Sequence, residues 1–369
     1  MDWHLEKFRR RMRVFGFLAL LVGFTAFLVA SEWHERDDAD ETGAAASPGK
    51  SSPYLLKSTG FISLPGPKGK RFDYLTIDYS SQRLLATHLG AGLLYVIDLR
   101  TNQLLGTIAD VPGAEGVEVV SDMKKAYTSD WYENKIAVID LQTMKVVKKI
   151  PTEDKPDGLA YAEPFHKLYV SDERGHSEAV VDVLKDEVIK TLHFPSETGN
   201  VRYDPGSRHI LVNLQDKNVI SEIDPATDQE IGQYSVGECR GNHGMVLDSE
   251  HRLAFLSCEG NNKMTVFDLK SHKPLAYLPL AEGADVIAYD QGLRRIYVAC
   301  SSGAISVFQE DDPQDFRKLG DVPVEKKVHS LAVDIYTHKV YVPEQEEHGR
   351  PAARIAIYEP IMSSVNGKN

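Results

Sequence analysis

Cysteine is scarce in this chain: 369 residues hold three, Cys239, Cys258 and Cys300. They form no CxxC pair and no CxxCH haem-attachment site, so thiol-redox, zinc-ribbon and c-type haem proteins lose their signatures. An odd count leaves at least one thiol unpaired. Also lacking are an HExxH helix, a serine in a glycine elbow and a phosphate-cradling glycine loop. These absences count against the familiar enzyme classes and leave open an active site built at the mouth of a channel.

Positive charge is in short supply as well. There are 42 Lys and Arg against 54 Asp and Glu, and residues 51–369 keep 35 against 46, a net charge of −11. A surface that acidic repels phosphate backbones, which disfavours nucleic acid as a partner.

Long apolar runs occur once. Val14 to Ala30 carries no charge over seventeen residues, and Lys7, Arg9, Arg10, Arg11 and Arg13 precede it. Basic residues before an apolar run stay on the cytoplasmic side, so the pattern predicts export of the rest of the chain. Val29-Ala30-Ser31 offers small residues for cleavage while Leu28 does not suit it, so a cleaved signal and a retained anchor both stand. The expected organisation is a basic cytoplasmic segment (1–13), a hydrophobic helix that meets the membrane (14–30), a flexible spacer (31–53), a globular body (54–360) and a tail (361–369). The expected location is the cell envelope, periplasmic or extracytoplasmic, anchored at the inner membrane or secreted.

The body repeats. LYVID ends at Asp98, IAVID at Asp140, AVVD at Asp182, ISEID at Asp224 and MTVFD at Asp268, at intervals of 42, 42, 42 and 44 residues. ISVFQ at Gln309 and IAIYE at Glu359 continue the series. Each unit holds four short apolar runs; in the second they are VEVV, KAYTS, KIAVID and KVVKKI. Runs this short, rich in Val, Ile and Tyr and cut by turn residues, read as strands. Four strands per 42 residues, repeated, predict an all-β, seven-bladed propeller. The seventh unit offers HSLAVD, KVYVP and RIAIYE and then stops. Residues 54–64 have a fourth-strand pattern without the first three, so they are expected to complete the last blade and close the ring.

KLYVSD, RIYVACS and KVYVPEQ resemble the YVTN element of a family of bacterial seven-bladed propellers that includes the YncE-like proteins. KPDGLAYAEPFHKLYVSD at 155–172 resembles the fuller family pattern. The resemblance covers about residues 54–360. It implies the fold; its members include extracellular binding proteins, redox-enzyme subunits and lactonase-like enzymes, so it does not select a function.

In a propeller the loops entering the innermost strands, and those joining second to third strands, open on one face. Aligning the units places Asp73, Glu115, Asp157, Gly199 (with Asn200 beside it), His243, Asp285 and His329 just before their inner strands. They form the candidate channel mouth, with Asn242 next to His243 in CRGNHG. Carboxylates suit Ca²⁺ or Mg²⁺, and a histidine pair suits Zn²⁺, with Asp73, Asp157, His243, Asp285 and His329 as candidate ligands. The alternatives are a hydrated polar channel without a tight ligand, or acid–base chemistry on a bound substrate. A second ring from the loops of the same face contributes His88, Asp130, Asp172 and Glu344, with Trp131 and Glu259 nearby. Trp131 reads either as part of an exposed partner surface or as a cap on its blade's core. Cys239 and Cys258, at the same end of one blade, are the candidate disulfide; Cys258 and Cys300 sit on blades that diverge outward.

These features lead to a binding propeller that presents its channel face to a small ligand, peptide or protein. The other readings are a metal-dependent hydrolase or lactonase-like enzyme, and a structural subunit of an envelope redox assembly.

Overall fold

The computed structural model describes residues 55–362. The expected N-terminal helix and spacer lie outside them. Among the described residues no helix is long and apolar enough to cross a membrane.

Twenty-eight strands among the described residues form seven four-stranded antiparallel sheets. Blades 1 to 6 cover residues 75–108, 114–151, 156–193, 198–235, 242–279 and 284–323, each with its strands in sequence order from the inside out. Blade 7 takes three strands from residues 332–360, and Leu56–Ser63 supplies the fourth. That strand pairs antiparallel with Arg350–Pro360, Leu56 opposite Pro360 and Ser63 opposite Arg354. The first described strand therefore closes the ring and covers the edge that blade 7 would otherwise expose.

The repeating aspartates are turn residues. At the end of each third strand the carboxylate accepts the backbone N–H two positions on: Arg100 to Asp98 at 2.8 Å, Gln142 to Asp140 at 2.7 Å, Leu184 to Asp182 at 2.9 Å. Asp224 and Asp268 do the same. A side chain that pre-forms the turn sets the hairpin register, which is why this residue marks the period.

Second-strand tyrosines join three pairs of blades, two of them from the YVTN-like strings; in the third string, RIYVACS, Tyr297 is buried without a hydrogen-bond partner among the described residues. Tyr127, Tyr169 and Tyr341 are fully buried. Tyr127 donates to Asp186 of blade 3 and Tyr169 to Asp228 of blade 4, both at 2.5 Å. Lys125 and Lys167 clamp the same two carboxylates at 2.7 and 2.6 Å. Tyr341 of blade 7 donates to Asn102 of blade 1 at 3.0 Å, carrying the device across the closure. A buried hydroxyl needs a partner; for these three the partner belongs to the next blade.

Candidate functional site

Second-strand side chains set the mouth. Ser129 Oγ accepts the Gly116 N–H at 2.7 Å and donates to the Asp157 carbonyl at 2.5 Å. Ser257 plays this part between Gly244 and Asp285, and Thr87 Oγ1 donates to the Glu115 carbonyl at 2.8 Å. Each of these ring residues is thereby held by the preceding blade. The approach is close enough that a Cβ on Gly116 would stand 2.4 Å from the Asp157 carbonyl oxygen, so glycine is required there.

Asp73, Glu115, Asp157 and Asp285 gather at the mouth as expected, all buried. Arg71 reaches Asp73 at 2.8 Å and Glu115 at 3.7 Å. His243 Nε2 lies 3.5 Å from Asp285 and 4.0 Å from Asp157. His329 Nδ1 meets the other Asp285 oxygen at 3.2 Å. Glu259 joins them: ligand atoms of His243, Glu259 and Asp285 lie within 4.8 Å of one another. Glu173 also faces His243 electrostatically and accepts from Gln215 at 3.3 Å.

The mouth is short of positive charge, and the proton affinities of its groups follow from that. Burial pushes Asp157 up to about 8 against the pull of His243, with Glu173, Asp73 and Asp285 adding to the rise. Burial likewise raises Glu115 well above the usual range, with Asp157 and Asp73 adding. Burial would depress His243, but Glu259, Asp157, Asp285 and Glu173 overcome it and lift the imidazole to about 10. Asp285 is buried too, yet falls below the usual value because His329 and His243 stabilise its charge. Both Asp157 oxygens and His243 Nδ1 are buried without a hydrogen-bond partner among the described residues.

Tyr74 closes the channel beneath the mouth. Its hydroxyl stands 3.2 Å from His243 Nε2 and accepts from Asn200; Asn200 Oδ1 in turn accepts from Arg202 at 3.1 Å. Position 74 aligns with Gly116, Gly158 and Gly244, so small residues elsewhere leave room for one large plug. Neither Tyr74 nor Arg71 was expected at the site.

Several expected residues are elsewhere. Asn242 does not face the channel: it is buried, donating to Asn213 at 2.9 Å and to the Val219 carbonyl at 3.0 Å. The second ring is not a surface. His88 is buried, stacked on Phe72 at 3.9 Å, with Nε2 donating to the Lys70 carbonyl at 3.1 Å, and burial lowers it to about 4. Asp130 accepts from Thr128 at 2.9 Å, Asp172 from Thr152 at 2.6 Å, and Glu344 pairs with Arg354 at 2.6 Å, all buried. Trp131 is partly buried beside Lys155 and Arg174, whose charges sit 5.2 and 5.8 Å from its ring. Cys239 and Cys258 are joined, Cα atoms 5.4 Å apart, and Cys300 is a buried free thiol.

A further cluster, Asp248, His251 and Glu310, also has ligand-grade spacing. Arg294 already neutralises Glu310 at 2.9 Å and Tyr289 donates to it at 2.5 Å, so it is a structural network.

The class these features define is a seven-bladed β-propeller with an acidic, plugged channel mouth. No family model and no curated protein matches the chain, so the YVTN resemblance rests on its quoted strings. Solved structures do match. The WD40 repeats of RRP9 are 12% identical with a TM-score of 0.68, over 83% of this chain and 97% of that one. Hydrazine synthase of Kuenenia stuttgartiensis is 15% identical with a TM-score of 0.67, over 88% and 100%. A chain of the mitotic checkpoint complex is 9% identical with a TM-score of 0.67, over 88% and 97%. At such identities the likeness shows the fold alone.

Proposed function

We propose that this chain is an envelope binding propeller of the YVTN-repeat kind, exported through its N-terminal apolar segment, whose mouth holds a divalent metal ion and presents it to a ligand. His243, Glu259 and Asp285 are the ligands. One imidazole with two carboxylates suits a borderline cation such as Zn²⁺ better than Ca²⁺ or Mg²⁺, which take oxygen ligands alone. His329 orients Asp285 from behind, as partners of metal-bound carboxylates do.

The observation that carries this reading is the charge imbalance. Asp73, Glu115, Asp157, Glu173, Glu259 and Asp285 outnumber Arg71, His243, His329 and Arg174, with Arg202 acting on Asp157 from the cavity side, and Asp157 is 1% exposed with neither oxygen hydrogen-bonded. Buried unpaired carboxylates are costly, and a divalent cation relieves that cost.

Glu259 is exposed, so an ion held there keeps coordination positions open to solvent. This favours a ligand or partner bound through its own carbonyl or carboxylate. The same opening supports the second reading, a metal-dependent hydrolase, in which the ion polarises a substrate carbonyl.

Metal content tests the proposal. Purified protein loaded with zinc and dialysed should retain about one ion per chain, and Glu259→Gln should retain far less. Wild-type protein that emerges without zinc contradicts it.

A further inference from the structure

Behind the Tyr74 plug, on the side away from the mouth, the inner strands enclose a cavity of 540 Å³. It opens toward the face that carries Tyr79 and Pro205, both exposed. A volume in this range is that of a small-molecule site.

One channel-facing tier inside it decides its chemistry. Three residues beyond the mouth ring, the seven blades present Thr76, Glu118, Ala160, Arg202, Val246, Ala288 and Ala332, all on the cavity wall. One guanidinium and one carboxyl thus stand among small or apolar groups, and Leu75, Val117, Leu159 and Ile287 add apolar wall. Arg202 makes no ion pair among the described residues. It donates to the Val201 carbonyl at 2.8 Å and to Asn200 Oδ1 at 3.1 Å, which engages two of a guanidinium's five N–H groups. Glu118 is near enough to feel Arg202, yet burial holds it up at about 7. No carboxylate of the described residues lies within ion-pair distance of Arg202, so its charge has no direct counter-ion, although Glu118 and Asp157 act on it from further off. An arginine without a carboxylate partner, in so acidic a chain, is suited to receive an anion.

We propose that this cavity binds a small monocarboxylate with an apolar body, the carboxylate on Arg202 and the body against the Leu75–Val117–Leu159–Ile287 wall. A dianion such as phosphate fits less well, because there is one guanidinium and Glu118 stands near it. The hydrogen bonds running from Arg202 through Asn200 to Tyr74 fix the guanidinium from behind, so it is positioned before the ligand arrives. This site shares no ligand residue with the mouth and does not depend on a metal there.

The test is calorimetric titration of the full-length protein with 3-phenylpropionate, its amide and acetate. The acid should bind at least tenfold more tightly than either comparator: the amide lacks the charge, and acetate lacks the body. Arg202→Met should weaken the acid at least tenfold, the loss expected for a hydrogen bond to a charged group. Ala288→Trp should abolish binding by filling the cavity, with Arg202 intact. Treatment with a chelator, which would empty the mouth of metal, should change nothing, which separates this site from the metal proposal. Thermal melts of each variant establish that it is folded, and if Arg202→Met does not fold, the amide comparison and Ala288→Trp still decide. The proposal is overturned if 3-phenylpropionate does not bind wild-type protein, if acid and amide bind alike, or if binding survives Ala288→Trp.

Discussion

The Tyr74 hydroxyl of blade 1 lies 3.2 Å from His243 Nε2 of blade 5, across the channel axis. This contact divides the propeller's interior into an acidic mouth above and an apolar-walled cavity below. It also joins blades that are not neighbours. Tyr74→Phe should therefore cost about 1–2 kcal/mol, because Asn200 loses its buried acceptor. Urea unfolding of the variant beside the wild type measures it.

Closure by the N-terminal strand predicts a sharp asymmetry between two deletions. Loss of residues 54–64 uncovers the Arg350–Pro360 edge and strips buried Leu56 and Ile62 from their clusters. Burial of two such side chains contributes about 3–6 kcal/mol. Loss of residues 31–50 should leave the melting temperature nearly unchanged. Equal melting of the two proteins would contradict the closing role.

The Cys239–Cys258 bridge closes a short loop, with a sequence separation of 19. Loops of this size are restrained by about 3 kcal/mol. Reduction, or Cys239→Ser with Cys258→Ser, should lower the unfolding midpoint accordingly. Cys300, whose thiol burial raises to about 12, should stay unreactive to alkylating agents until the protein unfolds.

His88 predicts an acid-sensitive fold. Its folded value is about 4 against an ordinary 6.5, so the unfolded chain takes up the proton first. The neutral, stacked His88 contributes its full share above pH 6.5. That share is lost as pH falls toward 4, by up to about 3 kcal/mol. His88→Gln should be less stable than wild type at pH 7.5 and show a flatter loss between pH 6.5 and 4. Parallel pH profiles of the two proteins would refute the assignment.

The fold was legible because the same physics recurs in most of the blades. Turn aspartates return every 42 to 44 residues, and tyrosines of the YVTN-like strings recur where blades meet. The mouth ring was legible for the same reason, since a position just before each inner strand is set by repeat register alone. The second ring named Glu259, which does reach the mouth, but was offset by one residue at Asp172, where Glu173 is the one that faces it. Side chains alternate along a strand, so Asp130 and Asp172 end their strands pointing inward while the next residue faces out. Glu173, after Asp172, and Glu259, after Cys258, are the ones that reach the mouth. Tyr74 carries a sequence signal of its own, a tyrosine where three other blades have glycine. Arg71 occupies the register position two residues before the ring, where other blades have Gly113, Lys155, Gly241, Gly283 and Lys327, and nothing in that mixed series singles it out.

The most direct test of the metal-holding mouth pairs two measurements on His243→Ala: zinc affinity by calorimetry and thermal melting. His243 is a ligand in this account, and its Tyr74 contact is one of two that hold that hydroxyl. Zinc affinity should fall at least tenfold, and some loss of melting temperature accompanies it, because the variant removes a cation from among buried carboxylates. Unchanged zinc affinity together with a large drop in melting temperature would make His243 a structural histidine and contradict the account.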